Sequence, residues 1–559
     1  MATEAASGDA ADELRSRTQR SILASQRAKE QGDGQQPGRL AQWFPLSAKD
    51  GFTQWWAGTS PMATEHRVLS FIPYLQKPPT QTQSGSAPAS TTPSTADLTA
   101  PPKHAEEHTE TTRLTDPYGP RRWNSEMVEL GGRGRALNEF SVERMGEEVE
   151  DNLVMLHGYG AGLGFFYRNF EALSRANGWK VYALDLLGMG RSSRPAFRIH
   201  AKDKEGKIAE AEDWFIDALE EWRIKRGLER FTLLGHSLGG YLATAYALKY
   251  PGRLNKLILA SPVGIPEDPH AVNDEMPSQP DASIAEELTM DAAQAADNVK
   301  PARGDNNNFL NQRSKADEAA TKKDPPRRRL PGWLTFLWEA NMVSPFSLVR
   351  WSGPLGPRLV SGWTSRRFSH LPEEEAQALH DYSYSLFRQR GSSEYALAFL
   401  LAPGAFARSP LIRRIQGVGR QWIEAHEDQA ASVDGDQRPG KCDKTRSKTP
   451  SPPAVSAPTS ATSHERQREN GVPVVLMYGE HDWMDVAGGF AAQEKIKQER
   501  ARILAQASPE ERRRDQGEAK VIIIGKAGHH VYLDGWEQFN SVMLEEMKDV
   551  RRRERAREA

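Results

Sequence analysis

The pentapeptide Gly235-His236-Ser237-Leu238-Gly239 restricts the fold more than any other feature of this chain. It joins the strand-like run 231–234 to the helix-like run 238–250. A turn this tight needs small flanking residues, and the two glycines supply them. A serine placed there exposes its hydroxyl at the N-terminus of a helix, where the helix dipole favours negative charge. The pattern predicts that Ser237 is a nucleophile; the alternative is a glycine-rich turn without a chemical role.

Strand and helix patterns alternate on both sides of this turn, which predicts a mostly parallel sheet flanked by helices. The segment 330–423 breaks the alternation, because it is helical in pattern and rich in tryptophan and proline. The fold class is therefore α/β with an inserted helical cap. The expected strands are 152–156, 181–184, 231–234, 254–261, 472–478 and 520–524, and the expected helices are 166–177, 209–226 and 238–250.

Three polar segments divide the chain. The segments 77–112, 268–329 and 424–470 are rich in proline, serine, threonine, alanine or charge, a composition that predicts disordered linkers. Hydrophobic residues make up 38% of the chain, as expected if such linkers dilute a packed core. The predicted organisation is a tryptophan-containing N-terminal segment with a linker at 1–122, a core at 123–266 and 471–548, a cap with inserts at 267–470, and a charged tail at 549–559.

The charges balance, with 73 basic and 75 acidic side chains, so no overall field attracts nucleic acid. The single cysteine, Cys442, cannot form an intramolecular disulfide, which favours a reducing compartment. No uninterrupted apolar run of about 18 residues occurs, so membrane association is expected to be peripheral. Acidic residues near the N-terminus, including Asp9 and Glu13, are unusual for a transit peptide.

A serine hydroxyl becomes nucleophilic when a histidine accepts its proton, and a carboxylate must orient that histidine. The expected order along the chain is serine, acid, histidine. His529 follows Gly528 after the last predicted strand and is the predicted base, although a surface histidine is the alternative. Glu480, Asp482 and Asp485 follow the preceding strand. Asp482 is the favoured acid because it lies a few residues beyond the end of that strand.

Backbone N–H groups are needed to stabilise the oxyanion of the tetrahedral intermediate. Leu238, the residue after the nucleophile, and Tyr159, in a loop after an early strand, are the predicted donors. The loop 157–162 contains three glycines, and its alternative interpretation is a phosphate-binding loop. The spacing of a dinucleotide-binding loop is not met, so we expect no organic cofactor, and the proposed chemistry needs no metal.

Four motifs of the chain are typical of hydrolases. They are His157-Gly158-Tyr159-Gly160-Ala161-Gly162, Asp185-Leu186-Leu187-Gly188-Met189-Gly190-Arg191-Ser192-Ser193-Arg194-Pro195, Gly235-His236-Ser237-Leu238-Gly239-Gly240-Tyr241 and Gly528-His529-His530-Val531-Tyr532-Leu533-Asp534. Together with the cap stretches 394–397 and 402–408 and the acid stretch 479–485, they resemble the α/β-hydrolase-domain 4 and 5 proteins and the fungal cardiolipin-specific deacylases. The resemblance covers about 123–266, 330–423 and 471–548 and leaves the polar inserts unmatched.

This resemblance implies hydrolysis of acyl esters in phospholipids or N-acyl phospholipids. Its fungal branch implies removal of an acyl chain from cardiolipin, with the protein peripheral on the mitochondrial inner membrane; the cytosol or a lipid-droplet surface is the alternative location. Transfer of the acyl group to a lysophospholipid by the same triad remains open. A non-catalytic lipid-surface adaptor also remains open, because one family member has lost its nucleophile, whereas this chain retains Ser237.

His529 and Asp534 form an H-x4-D pattern resembling that of glycerolipid acyltransferases. Because His529 already serves as the predicted base, we expect Asp534 to be structural. Aromatic residues of the N-terminal segment and cap predict a membrane interface or the lining of an acyl channel, and an ordinary cap core is the alternative. Five arginines could meet lipid phosphates or lie on a solvated surface. The aromatic residues are Trp43, Phe44, Phe52, Trp55, Trp56, Trp333, Phe336, Trp338, Trp351 and Trp363, with the aliphatic Leu337 between two of them. The arginines are Arg191, Arg194, Arg366, Arg367 and Arg408.

Overall fold

A computed structural model of the chain describes residues 45–80, 107–273, 345–402, 405–423 and 467–558. Its main feature is a sheet of nine strands in the order β1-β2-β3-β5-β4-β6-β7-β12-β13. The strands are β1 (Glu107–Glu110), β2 (Arg121–Glu129), β3 (Ala136–Arg144), β4 (Asp151–Leu156), β5 (Trp179–Leu184), β6 (Phe231–His236), β7 (Leu254–Ala260), β8 (Leu401–Ala402), β9 (Phe406–Ala407), β10 (Trp422–Ile423), β11 (Gln467–Arg468), β12 (Pro473–Gly479) and β13 (Glu518–Ile524). The pairs β8–β9 and β10–β11 form two small separate sheets.

The large sheet is antiparallel at one edge and parallel from β5 onwards. Strands β1, β2, β3 and β5 pair antiparallel. The remaining pairs, β5–β4, β4–β6, β6–β7, β7–β12 and β12–β13, are parallel. The predicted α/β class with a mostly parallel sheet is therefore confirmed, and each expected strand is present within two residues of its predicted bounds.

Helices cover both faces of the sheet. They are α1 (Ala48–Ala57), α2 (Pro61–Leu69), α3 (Tyr167–Leu173), α4 (Lys204–Lys225), α5 (Leu238–Lys249), α6 (Pro269–Asn273), α7 (Pro345–Trp351), α8 (Gly356–Arg367), α9 (Glu373–Phe387), α10 (Leu397–Leu400), α11 (Val486–Gln506), α12 (Pro509–Arg514), α13 (Val531–Asp534) and α14 (Trp536–Glu558). Phe215 and Leu242 belong to the core on the α4 and α5 side, and Phe170 and Phe539 to the core on the α3 and α14 side. Among the helices of the described ranges, none has the length and apolar character needed to cross a membrane.

The register aligns the carboxyl ends of the parallel strands. Gly235 of β6 pairs with Leu156 at the end of β4, and His236 pairs with Ala260 at the end of β7. Gly479 of β12 pairs with Ile524 at the end of β13. The loops that follow these strands therefore leave the sheet at one edge, where α/β proteins place their ligand sites.

The N-terminal helices are part of the cap. Ser361 of α8 accepts a hydrogen bond from the N–H of Leu46 (3.2 Å), and the hydroxyls of Thr64 and Ser385 are 2.7 Å apart. Glu65 of α2 is fully buried and contacts Arg191 of the core loop at 2.6 Å. The prediction placed residues 45–80 in an N-terminal segment outside the cap at 267–470, and these polar contacts join them to both the cap and the core.

Two further boundaries differ from the prediction. Residues 107–110 form β1 inside the segment expected to be a linker, because they complete the antiparallel edge against β2. Helix α14 continues through the expected tail to Glu558, since Val550 is buried and Arg551 pairs with Glu150 (2.7 Å). Residues 274–329 and 424–466 of the other predicted linkers, together with Trp43, Phe44, Trp333, Phe336, Leu337 and Trp338, lie outside the described residues.

Candidate active site

Ser237 lies on the turn between β6 and α5 with φ of 52° and ψ of −115°. Few residues other than glycine adopt a positive φ, and this strained turn is the geometry of a nucleophile elbow. A side chain at position 235 would come within 2.3 Å of the carbonyl oxygen of Gly239, so the turn excludes anything larger than glycine there. The N–H of Ser237 donates to the carbonyl of Ala260 (3.0 Å), which fixes the turn against β7.

Asp482 and His529 lie side by side, as the sequence predicts. The Nδ1 atom of His529 is 3.2 Å from Oδ1 of Asp482. Asp482 also accepts hydrogen bonds from the hydroxyl of Ser261 and the N–H of Met484. Burial raises the pKa of Asp482, but the hydrogen bond and charge of His529 and the Ser261 hydroxyl outweigh burial and hold the pKa below its ordinary value. Asp482 is therefore an ionised acceptor that orients the imidazole.

His236 joins the loop that carries Ser237 to the loop that carries His529. Its Nε2–H donates to the carbonyl oxygen of His529 at 3.0 Å, and the two rings are 4.8 Å apart. The second ring nitrogen of His529, Nε2, is buried and has no hydrogen-bond partner among the described residues. Within the described ranges no hydrogen bond connects it to the hydroxyl of Ser237. In enzymes without substrate this bond is often loose, so the role of His529 as base stays a prediction.

The loop of the predicted oxyanion hole lies against the nucleophile. His157 Nδ1 donates to the carbonyl of Gly158 (2.7 Å), and its Nε2 accepts from the N–H of Leu186 (3.0 Å). Burial lowers the pKa of His157 to about 4, which keeps the ring neutral in this tautomer. A Cβ at Gly158 would lie 3.0 Å from Cβ of Ser237. The loop backbone therefore approaches the serine closely.

The two predicted oxyanion donors differ in position. Leu238 is the first residue of α5, so its N–H lies at the helix N-terminus, where amide groups lack intrahelical acceptors. Tyr159 lies in the loop beside Gly158, and its ring stacks on Phe346 of the cap with ring centroids 4.9 Å apart. The assignment of both amides as oxyanion donors stays a prediction.

The cap contacts both catalytic loops. Phe346 also stacks on Phe387 at 4.4 Å, which places two cap aromatic rings over Gly160. Arg367 of α8 contacts the ring of His530, and its Nε donates to Nε2 of that ring at 3.2 Å. Burial, followed by the nearby charge of Arg367, lowers the pKa of His530 well below its ordinary value. The cap therefore contacts the oxyanion loop on one side and the histidine loop on the other.

Among the described residues, neither of the other candidate acids forms a hydrogen bond with the ring of His529. The carboxylate of Glu480 accepts the N–H of Lys526 (2.9 Å), and Asp485 precedes α11. Asp534 accepts the N–H of Gly528 (3.0 Å) and lies 3.3 Å from His370 of the cap. These contacts are consistent with the structural role expected for Asp534, since they fix the residue before His529.

Three of the arginines suggested for lipid phosphates have structural partners instead. Arg191 is buried and pairs with Glu65. Arg194 donates to the carbonyls of Gly188 (2.8 Å) and Gly190 (3.0 Å). Arg408 is buried, and its Nε donates to the carbonyl of Ala398 (2.9 Å). The sequence could not reveal these acceptors, because most of them are backbone carbonyls.

Two supporting residues were missed in the sequence. Ser261 follows β7 and has φ of 46°, and its hydroxyl binds the carboxylate of Asp482. His236 was treated as part of a motif rather than as a contact to His529. A usable signal did exist for Ser261, since it is the last residue of the predicted strand 254–261, at the same edge as the other site residues.

Residues 151–535 match the family model described as the alpha/beta hydrolase fold. The chain is 31% identical over 408 residues to a 1-acylglycerol-3-phosphate O-acyltransferase of Arabidopsis thaliana, covering 71% of this chain and 66% of that protein. It is 33% identical to the 1-acylglycerol-3-phosphate O-acyltransferase ABHD5 of Rattus norvegicus, covering 48% of this chain and 59% of that protein. It is also 27% identical to a (lyso)-N-acylphosphatidylethanolamine lipase of Bos taurus, covering 73% of this chain and 83% of that protein.

The chain thus spans slightly less than two thirds of the plant relative and about three fifths of the rat relative. These relatives confirm the resemblance to the α/β-hydrolase-domain 4 and 5 proteins that the motifs indicate. The family match spans most of the described core, including the strained Ser237 turn and the Asp482–His529 pair. The chain therefore belongs to the α/β-hydrolase fold family.

Proposed function

We propose that this protein is a serine-dependent hydrolase of acyl esters in phospholipids. The observation that carries the proposal is the strained turn of Ser237 at the same sheet edge as the hydrogen-bonded pair of His529 and Asp482. A positive φ is costly for serine, and such strain persists mainly where function uses it. The carboxylate–imidazole pair is the activating device that a serine nucleophile requires.

The reaction begins when the Ser237 oxygen attacks the ester carbonyl carbon while its proton moves to Nε2 of His529. Asp482 stabilises the imidazolium, and the N–H groups of Leu238 and Tyr159 stabilise the oxyanion. The carbon–oxygen bond to the leaving alcohol then breaks as His529 returns the proton to that oxygen. Water, deprotonated by the same histidine, attacks the acyl-enzyme and releases the fatty acid together with free Ser237.

Phospholipids are the proposed substrate class because of the relatives and the surface of the cap. The names of all three relatives refer to acyl groups on glycerophospholipids. Phe52 and Trp56 of α1 are 50% and 75% exposed, and Trp351 at the end of α7 is 68% exposed. Helix α1 packs against α8 and the short turn 353–355, where Leu355 is also exposed. Exposed aromatic side chains on neighbouring elements suit peripheral binding to a lipid surface.

Acyl transfer is the second candidate, and the names of the plant and rat relatives favour it. In this reaction the hydroxyl of a lysophospholipid, instead of water, attacks the acyl group on Ser237. The same residues serve both reactions, so the acceptor alone distinguishes them. Cardiolipin is the first phospholipid to test because of the motifs shared with the fungal deacylases, and the mitochondrial inner membrane is the location proposed with it.

The test is a panel of vesicles, each containing cardiolipin, phosphatidylcholine or N-acyl phosphatidylethanolamine with a labelled acyl chain, with and without lysophosphatidic acid. We expect the wild-type protein to release labelled fatty acid, and we expect Ser237→Ala to lower the rate at least about a thousandfold. Label appearing in phosphatidic acid would instead support acyl transfer.

A fluorophosphonate probe provides the control for an adaptor role. It should label the wild-type protein and leave Ser237→Ala unlabelled. A folded wild-type protein that neither takes the label nor releases any acyl chain would contradict the enzyme proposal and support a non-catalytic adaptor.

A further inference from the structure

Trp483 has a buried hydrogen-bond donor with no acceptor. Its Nε1 atom is inaccessible to solvent, and no partner for it exists among the described residues. A buried indole N–H normally finds a partner, because leaving a buried donor unsatisfied carries a substantial penalty. An unpaired donor of this kind therefore needs an explanation.

The indole ring that carries this donor lies beside the predicted catalytic base. The rings of Trp483 and His529 are 4.9 Å apart at an angle of 47°. Nε2 of His529 is the second buried nitrogen of this ring pair for which the described part of the chain offers no hydrogen-bond partner. An oxygen bound next to the two rings would satisfy the indole donor, and it would also satisfy the imidazole where it carries a hydrogen that Nε2 can accept.

The turn that carries Trp483 is held firmly. Oδ1 of Asp482 accepts the N–H of Met484 (3.1 Å), and the N–H of Asp482 donates to the carbonyl of Gly479 (3.1 Å). The side chain of Trp483 packs against the core that includes Met484. The indole is therefore fixed in place by the same short turn that positions the acid.

We infer that Trp483 is a specificity-determining residue, whose Nε1–H binds an oxygen of the leaving alcohol. The inference rests on the proposed function. His529 protonates the leaving oxygen, so substrate groups beside the His529 ring belong to the alcohol part of the ester rather than to its acyl chain. The ligand chemistry is an oxygen acceptor close to the scissile ester, and a glycerol hydroxyl or a phosphate oxygen can provide it.

The test compares wild-type protein with Trp483→Phe, which retains an aromatic ring beside His529 and removes the donor. Three oleoyl esters serve as substrates: butyl oleate has no second oxygen in its alcohol, monooleoylglycerol adds hydroxyls, and oleoyl lysophosphatidic acid adds a phosphate. We expect kcat/KM for lysophosphatidic acid to fall about tenfold, as for a lost hydrogen bond, while butyl oleate changes less than about twofold. A drop for monooleoylglycerol as well would identify a hydroxyl as the acceptor, and a drop confined to lysophosphatidic acid would identify a phosphate oxygen.

Trp214→Phe is the matched control. Its Nε1 is also buried, with no hydrogen-bond partner in the described ranges, but Trp214 lies on α4, where its ring contacts Phe197 with ring centroids 5.2 Å apart. We expect this variant to match the wild type on all three esters. The rate of fluorophosphonate labelling of Ser237 checks that the nucleophile of each variant is intact.

The possible failures are distinguishable. Equal losses of Trp483→Phe on all three esters, with slower labelling, would show that the ring only supports His529, and would overturn the inference. Unchanged rates on every ester would overturn it too. A wild-type protein that hydrolyses no ester and takes no label would contradict the proposed function itself, and the inference with it.

Discussion

Ser237 combines the predicted chemistry with an unfavourable backbone conformation. A non-glycine residue at its φ of 52° and ψ of −115° costs on the order of 1–3 kcal/mol, which the surrounding fold must offset. Glycine adopts such conformations readily. We therefore expect Ser237→Gly to raise the free energy of unfolding by about 1 kcal/mol while abolishing hydrolysis, as measured by urea denaturation and fatty-acid release.

The control for this prediction is Ser237→Ala, which removes the hydroxyl and keeps the strain. Its stability should stay near that of the wild type, while its activity is lost equally. If Ser237→Gly were less stable than Ser237→Ala, the positive φ at this turn would not be a source of strain that destabilises the wild-type protein.

Substitutions at Asp482 and Ser261 test two different roles: Asp482 is predicted to orient the base His529, and the Ser261 hydroxyl binds the carboxylate of Asp482. Asp482→Asn keeps the shape of the side chain but removes the charge that selects the His529 tautomer, so kcat should fall on the order of 10⁴-fold. Ser261→Ala removes one of several hydrogen bonds to the carboxylate, and a loss below about tenfold is expected. Steady-state kinetics on one phospholipid measure kcat for both variants. A larger loss of kcat for Ser261→Ala than for Asp482→Asn would contradict these two roles.

Helix α2 illustrates how a short element is held by buried charge. Glu65 contacts Arg191 at 2.6 Å, and also receives the amide of Asn138 (3.2 Å) and the hydroxyl of Tyr382 (3.1 Å). Removing one partner of a buried pair leaves an uncompensated charge. Glu65→Ala should therefore lower the free energy of unfolding by about 3–5 kcal/mol and expose 61–69 to protease.

The same helix offers the control. Arg67 pairs with Asp381 at 2.6 Å, but its side chain is 39% exposed. Such a pair contributes about 0–1 kcal/mol, so Arg67→Ala should change stability little. Similar losses for both variants would show that helix packing, rather than the buried pair, holds α2 in place.

The apolar surface formed by α1 and α7 leads to a prediction about vesicle binding. The paired change Trp56→Ser and Trp351→Ser removes its two most exposed indoles. Because indole rings insert at the lipid interface, we expect weaker co-sedimentation with phospholipid vesicles and unchanged hydrolysis of a water-soluble ester. Unaltered vesicle binding would locate the lipid contact elsewhere on the protein.

Strands and helices with a regular hydrophobic pattern were predictable from the sequence, whereas contacts between elements far apart in the chain were not. The run 231–234 followed by a Gly-Ser-Gly turn identifies β6 and Ser237, because hydrophobic period and turn chemistry are local. The pairing of β1 with β2 depends on an open sheet edge, which composition does not reveal. Likewise His236 reaches His529 only through the fold, since nearly 300 positions separate them in the chain.

At the scale of the whole molecule, buried histidines make stability depend on pH. Burial lowers the pKa of His157 to about 4, below its ordinary value near 6.5, and also lowers those of His236, His380 and His530. The folded state resists protonation at these rings, so their stabilisation is complete above about pH 6.5 and is lost as pH falls toward 4. For His157 alone the loss is about 3 kcal/mol.

Urea denaturation at pH 7.5 and pH 5 measures this effect. We expect a lower free energy of unfolding at pH 5, and a smaller difference between the two pH values for His380→Gln, which lies outside the active site. Stability that is unchanged or greater at pH 5 would mean that these rings do not stay neutral in the folded protein.

The order of the strands also has a consequence for synthesis of the protein. Strand β13 comes last along the chain among the strands of the large sheet, and the loop after it carries His529. A chain still emerging from the ribosome can complete the turn of Ser237 long before its base has been translated. Under the proposed mechanism, ester hydrolysis therefore cannot begin before this last loop of the large sheet has been synthesised.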